Sequence, residues 1–181
     1  MVLLPTRSMA AWIEPRGSSS TSTARSSTAC TSTSWRGGSR STEVRPLPGA
    51  RELLTHLTST GVPWAIATSG YRESAGPTLE LLELPEDVPV ITRDLVERAK
   101  PDPDLFLAAA DALGMAAENC VVVGDSVWDL LAARRAGALG VGLLSGGYGR
   151  EELIYAGAFR VYEDPGDLLA HLDELGVRRP S

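Results

Sequence analysis

From Pro46 onward the chain alternates short apolar runs with segments whose apolar residues recur three or four positions apart. The runs VPWAIATSG (62–70), VPVIT (88–92), CVVVGD (120–125), ALGVGLL (138–144) and AFRVY (158–162) predict buried strands. Between them, ESAGPTLELLEL (73–84), PDLFLAAADALGM (103–115), VWDLLAARRAG (127–137), REELIYAG (150–157) and PGDLLAHLDELG (165–176) predict helices. Pro103 suits a first helical turn, and Arg134 and Arg135 suit a last turn, where the helix dipole favours cations. Strands alternating with helices imply right-handed crossovers and a parallel sheet covered on both faces. The expected fold is a doubly wound α/β domain over residues 46–181.

Before Pro46 this periodicity is absent. SSSTSTARSSTACTSTSW (18–35) holds almost nothing that a core could bury, and residues 1–45 read as an irregular Ser/Thr-rich segment. MVLL at the start is the one short apolar run there with strand character.

Composition narrows the function classes. The 181 residues suffice for one well-buried domain, 43% are hydrophobic, and the mean hydropathy is −0.02. A net charge of −6 supports neither nucleic-acid nor membrane binding. No run approaches the ~20 apolar residues of a membrane helix, and the first residues lack the pattern of a signal peptide. Two cysteines, Cys30 and Cys120, make no disulfide framework, so a cytoplasmic location is expected. A mucin-like stalk is disfavoured for the same reasons.

In doubly wound sheets, ligands bind beyond the carboxyl ends of the strands. ATSG places Thr68, Ser69 and Gly70 at one such end. VVVGDSVWD places Asp125 at another, with Asp129 in the next helix's first turn, and AKPDPDLF sets Lys100 just before a helix. Singly, each has an ordinary reading: an N-cap, a turn, a solvated lysine. Their joint order on one fold carries the signal.

That order resembles the haloacid dehalogenase (HAD) superfamily of phosphohydrolases. RPLPGARELLTHLTSTGVPWAIATSG, AKPDPDLFLAAADALGM and VVVGDSVWDLLAARRAGALGVGL are similar to its second, third and fourth motifs, nearest the phosphoglycolate phosphatase and β-phosphoglucomutase branch. The resemblance implies that Thr68 hydrogen-bonds a transferring phosphoryl group, with Ser69 and Gly70 as nearby backbone donors. It implies that Lys100 neutralises phosphate charge, that Asp125 ligates Mg²⁺, and that Asp129 completes or orients the metal site. The implied substrate is a small phosphorylated metabolite. Such a site suits phosphoryl transfer, which rests on positioning and electrostatic stabilisation.

The family's first motif, a strand ending in Asp-x-Asp-Gly-Thr whose first Asp attacks phosphorus, is missing. Asp87 is the first aspartate of the chain. The resemblance puts that strand at the centre of the sheet, between WAIAT and VVVGD, so the centre is expected to be vacant or poorly filled, with MVLL its short candidate.

The serine tract accounts for the loss. Regrouped one base earlier, TCN serine codons become NTC (Phe, Leu, Ile or Val), and ACN threonine codons become NAC (Tyr, His, Asn or Asp). STSTAR (20–25) can then read Phe-Asp-Leu-Asp-Gly-Thr. Compatible family-like sequence continues through Thr42, including Leu-Val-Asp-Ser-Val over SSTAC (26–30). Residues up to about Thr42 thus read as an out-of-frame version of the family's N-terminus, against the alternative of a disordered Ser/Thr linker. The family's helical cap has no room before Pro46.

Two function classes follow: a Mg²⁺-dependent phosphomonoesterase or phosphomutase, inactive in the chain as written, or a non-catalytic remnant that still binds phosphate or metal. A haloacid dehalogenase fits less well, since GDS (124–126) stands where dehalogenases carry Ser-Asn. A receiver or flavodoxin-like module would not explain Lys100 and Asp125 in this order. SGGYGREEL (145–153) reads as a turn or, less readily, an anion cradle. His56 and His171 read as surface or packing residues, and Trp128 as a packing anchor.

Overall fold

A computed structural model describes residues 2–6, 13–15 and 44–176, with side chains from Arg45 onward. Six parallel strands form one sheet: β1 (Val2–Thr6), β4 (Trp64–Thr68), β5 (Val90–Ile91), β6 (Val121–Gly124), β7 (Leu139–Leu143) and β8 (Ala158–Tyr162). Their order is β5-β4-β1-β6-β7-β8. β2 (Ile13–Pro15) and β3 (Val44–Pro46) form a separate antiparallel pair. β1, β2 and the first two residues of β3 therefore fall inside the segment that reads as irregular.

The centre of the sheet is filled. Val2–Thr6 runs in register with Trp64–Thr68, from Val2 opposite Trp64 to Thr6 opposite Thr68. On its other side Val2 and Leu3 pair with Val121 and Val122, and the pairing stops before Pro5, which has no N–H to contribute.

Strand residues alternate between two packed layers, as a period of two requires. Trp64, Ile66, Val121 and Val123 face a cluster with Leu53, Leu54 and Leu57 of α1 (Ala50–Ser59) and Leu168 of α6 (Pro165–Ala170). Ala65, Ala67 and Val122 face the opposite cluster. It is built from Leu105, Phe106, Ala109 and Ala110 of α3 (Asp104–Ala112) and Ala132 and Ala133 of α4 (Val127–Ala136). In α1 the buried residues Ala50, Leu53, Leu54 and Leu57 fall at the spacing of one helical face. A fully buried leucine of this kind contributes about 1.5–3 kcal/mol. α5 (Arg150–Ala156) adds Leu153, packed with Leu130 and Val161 near the β8 edge.

Three helices are shorter than their sequence pattern. α3 stops at Ala112, before Gly114 turns the chain at φ +65°. α2 (Arg72–Glu80) contains Pro77, which cannot donate back along the helix, and it ends before Glu83, whose φ is +52°. The last segment is helical to Ala170 and continues as a single 3₁₀ turn over Leu172–Leu175. His171 breaks the run at φ −124°, with its ring stacked 5.7 Å from that of Tyr162.

Both sheet edges are irregular. β5 has only two residues, and β8 carries a bulge: Gly140 pairs with Ala158 and Val141 with Arg160, leaving Phe159 as the extra residue. Among the described residues, no helix is long and apolar enough to cross a membrane.

Candidate active site

β4 and β6 flank β1 and point the same way, so the Thr68 turn and Asp125 share one edge of the sheet, one strand apart. Thr68 is the last residue of β4 and is 1% exposed. Its hydroxyl oxygen accepts the Gly70 N–H at 3.1 Å, which closes a tight turn and leaves the threonine O–H as a donor. The Gly70 amide is thus directed to Thr68 within the turn.

A second layer of contacts holds this turn, and the sequence motifs did not reveal it. Arg93 N–H donates to Gly70 O at 3.0 Å, and Arg72 N–H, at the start of α2, donates to Asp94 Oδ1 at 3.0 Å. That backbone amide is the main reason the Asp94 carboxyl lies below the usual carboxylate range. The Arg93 guanidinium donates to the carbonyls of Val96 and Glu97, at 2.6 and 3.1 Å. Residues 93–97 thereby tie the Thr68 turn to the segment that leads into Lys100. The signal lay in a cap whose acceptor comes 22 residues after its donor, which no local pattern displays.

Lys100, Asp129 and Ser126 form a buried network. Lys100 Nζ donates to Asp129 Oδ1 at 2.6 Å, with the two side chains 5% and 0% exposed. Asp129 Oδ2 accepts from Ser126 N–H at 3.1 Å and Ser126 Oγ at 2.8 Å, and Ser126 Oγ accepts the Asp129 N–H at 3.3 Å. This is a capping box at the start of α4. Ser126 is the cap and Asp125 is not. Gly124 makes room for the arrangement, because a Cβ there would stand 2.9 Å from Asp129 Cγ and Oδ2. The ammonium also lies 5.6 Å from the centroid of the Phe106 ring.

Asp125 is the first residue beyond β6 and is 2% exposed. Its carboxylate lies at the end of β6, next in sequence to the Ser126 cap that Asp129 holds. Among the described residues, no three His, Cys, Asp or Glu gather as a metal site. One carboxylate with water and phosphate oxygens is nevertheless a common way to hold Mg²⁺, and an oxygen donor in this position fits that hard cation.

Other candidates resolve simply. The Gly149 N–H is taken by Glu152 Oε2 at 2.7 Å, which makes SGGYGREEL a turn leading into a capped helix. His56 is exposed on α1. Trp128, expected as a packing anchor, is 45% exposed; α4 buries Leu130, Ala132 and Ala133 instead, and Trp128 lies off that face.

Residues 39–137 match the family model of haloacid dehalogenase-like hydrolases. The chain belongs to this family. It is 42% identical to hexitol phosphatase A of Escherichia coli over 52% of this chain and 44% of that protein. It is 35% identical to a phosphoglycolate phosphatase of Rhodospirillum rubrum, over 74% of this chain and 54% of that protein. The chain thus spans about half the length of these curated relatives. Among solved structures, a hydrolase from Pseudomonas syringae superposes with a TM-score of 0.71 at 54% identity, covering 74% of this chain and 63% of that one. A HAD family hydrolase from Deinococcus radiodurans, with bound phosphate and sodium, gives a TM-score of 0.68 at 36% identity, over 76% and 63% of the two chains. Both likenesses extend to the α/β fold and its parallel sheet.

Proposed function

We propose that this chain derives from a Mg²⁺-dependent phosphomonoesterase for a small phosphorylated metabolite, and that as written it retains the binding framework without turnover. The supporting observation is the Lys100–Asp129–Ser126 network set beside Asp125, on the sheet edge that also carries Thr68. In this reading Asp125 holds Mg²⁺, which supplies charge neutralisation for a transferring phosphoryl group. The Thr68 hydroxyl donates to a phosphate oxygen, and the turn through Ser69 and Gly70 presents the backbone around it. Lys100 contributes positive potential from beneath the site. Asp129 acts on Lys100 and on the Asp125–Ser126 turn as an orienting group, both its oxygens being engaged by protein donors.

The nucleophile is the missing part. The central strand ends in Thr6, opposite Thr68, and the chain has no aspartate before Asp87. We assign that loss to a shifted frame over residues up to about Thr42. A catalytically silent phosphate- or metal-binding protein is the second reading, favoured by that same absence.

Hydrolysis of a generic aryl phosphate separates the two, measured with Mg²⁺ on the unaltered chain and on one whose N-terminus is returned to the frame reading Phe-Asp-Leu-Asp-Gly-Thr. Background rates for the first and Mg²⁺-dependent turnover for the second are expected. In the restored protein Asp125→Asn should remove most of the Mg²⁺ response, and Lys100→Ala should lower the rate at saturating Mg²⁺. Robust turnover by the unaltered chain that survives Glu14→Gln and Glu43→Gln would show that another group is the nucleophile.

A further inference from the structure

We infer that Gly146, which belongs to none of the three matching motifs, is a positioning residue that sets where the Asp125 carboxylate stands. The inference rests on the reading of Asp125 as the cation-holding residue. Gly146 lies in the turn that follows β7, a single 3₁₀ turn over Leu144–Gly146. A Cβ built on it would overlap the Asp125 carbonyl oxygen and stand 2.8 Å from both the carbonyl carbon and the Cβ of Asp125. Gly146 is not among the positive-φ glycines, so space alone excludes a side chain there. Its neighbour Gly147 is the converse: φ is +81°, and a Cβ would meet nothing within 4 Å.

Asp125 is the residue that must yield to such a side chain. On one side Val121–Gly124 are fixed in the sheet between β1 and β7. On the other, Ser126 is locked to Asp129 by three hydrogen bonds, and Asp129 is held by Lys100. The Asp125 peptide is the joint between these two fixed bodies, and the turn at Gly146 presses directly on it. Moving that peptide swings its carboxylate. Mg²⁺ demands near-ideal octahedral geometry at about 2.0–2.1 Å, so a shift of the order of 1 Å removes the carboxylate as a ligand.

The test is direct binding of Mn²⁺, as a spectroscopic substitute for Mg²⁺, to the full chain without substrate. Thermal unfolding is recorded on the same samples. Asp125→Asn should abolish binding, and Gly146→Ala should weaken it about ten-fold or more while the protein still unfolds cooperatively. Gly147→Ala should lower Tm through backbone strain yet bind within about two-fold of the unaltered chain. If Asp125→Asn loses binding and Gly146→Ala keeps it, the inference falls and the cation reading stands. Equal losses in Gly146→Ala and Gly147→Ala would also overturn it, since any disturbance of the turn would then suffice. Binding that survives Asp125→Asn removes the cation reading and this inference with it. Should Gly146→Ala fail to fold, one glycine inserted after Gly147 lets the turn drift from Asp125 without adding a Cβ. The same loss of Mn²⁺ affinity is then expected, and retained affinity overturns the inference.

Discussion

Lys100 and Asp129, 29 residues apart in sequence, meet in the interior with Nζ and Oδ1 separated by 2.6 Å. Neither side chain exceeds 5% exposure. A pair this deeply buried gains little over an apolar substitute, but breaking it from one side strands a charge. Lys100→Met should therefore cost about 3–5 kcal/mol in urea unfolding, because Asp129 is left buried and unbalanced. Adding Asp129→Asn to that variant should recover part of the loss, since the amide oxygen can still accept from Ser126 without carrying charge. Additive losses in the double variant would show that the two residues act independently.

Asp94 is expected to matter through α2. Asp94→Ala removes the acceptor for the Arg72 amide and should lower Tm by a few degrees, whereas Asp94→Asn keeps an acceptor and should lower it less. Equal Tm values for the two variants would place the effect in charge and not in the cap.

His171 gives the C-terminal clasp a pH dependence. Its pKa lies above the ordinary 6.5, first because of its bond to the Asp167 backbone carbonyl; burial opposes the rise, and the Asp167, Glu174 and Asp173 carboxylates add to it. A raised folded pKa favours the imidazolium in the native state. Its contribution is complete below about 6.5 and declines as pH rises through the folded value. Tm measured from pH 5.5 to 8.5 should fall over that window, and the fall should be shallower in His171→Gln.

Tyr162 should titrate late. Burial, followed by the Glu174 carboxylate that accepts its hydroxyl at 3.2 Å, pushes the phenol up to about 12. The neutral phenol is favoured in the folded state, so its stabilisation is present below the ordinary value near 10 and is lost as pH rises through about 12. In an alkaline titration of phenolate absorbance a late component should appear near pH 12, and Tyr162→Phe should abolish it.

Much of the fold could be read from residue pattern because alternation and helical spacing were intact from Pro46 onward. The β4, β6 and α4 segments carried both their burial pattern and their motif residues in consecutive positions. The central strand was harder to foresee. Val2–Thr6 has only a few apolar residues and a proline, and its place is set by the facing strands and not by its own pattern. The end of α6 was hidden for a similar reason, since His171 leaves the helix to stack on a strand residue. At the site, Thr68, Lys100, Asp125 and Asp129 were legible as motif positions. The engagement of both Asp129 oxygens, and the support from Arg93, Asp94 and Gly146, were not, because they depend on contacts between distant segments.

The two sheet edges have a consequence for the protein in concentrated solution. Polymerisation through strands needs a straight, unpaired ribbon of backbone at a sheet margin. At one margin β5 offers two residues, too few to template a neighbour. At the other, the bulge at Phe159 twists the ribbon, and the adjacent Arg160 guanidinium sits 4.5 Å over the Phe159 ring, with its Nε 3.6 Å from Glu174. An antiparallel match of β8 with its own copy, centred on Arg160, would bring two guanidinium groups face to face. Stacking of folded molecules into fibrils by sheet extension is thus obstructed at both margins, by brevity on one and by curvature and charge on the other.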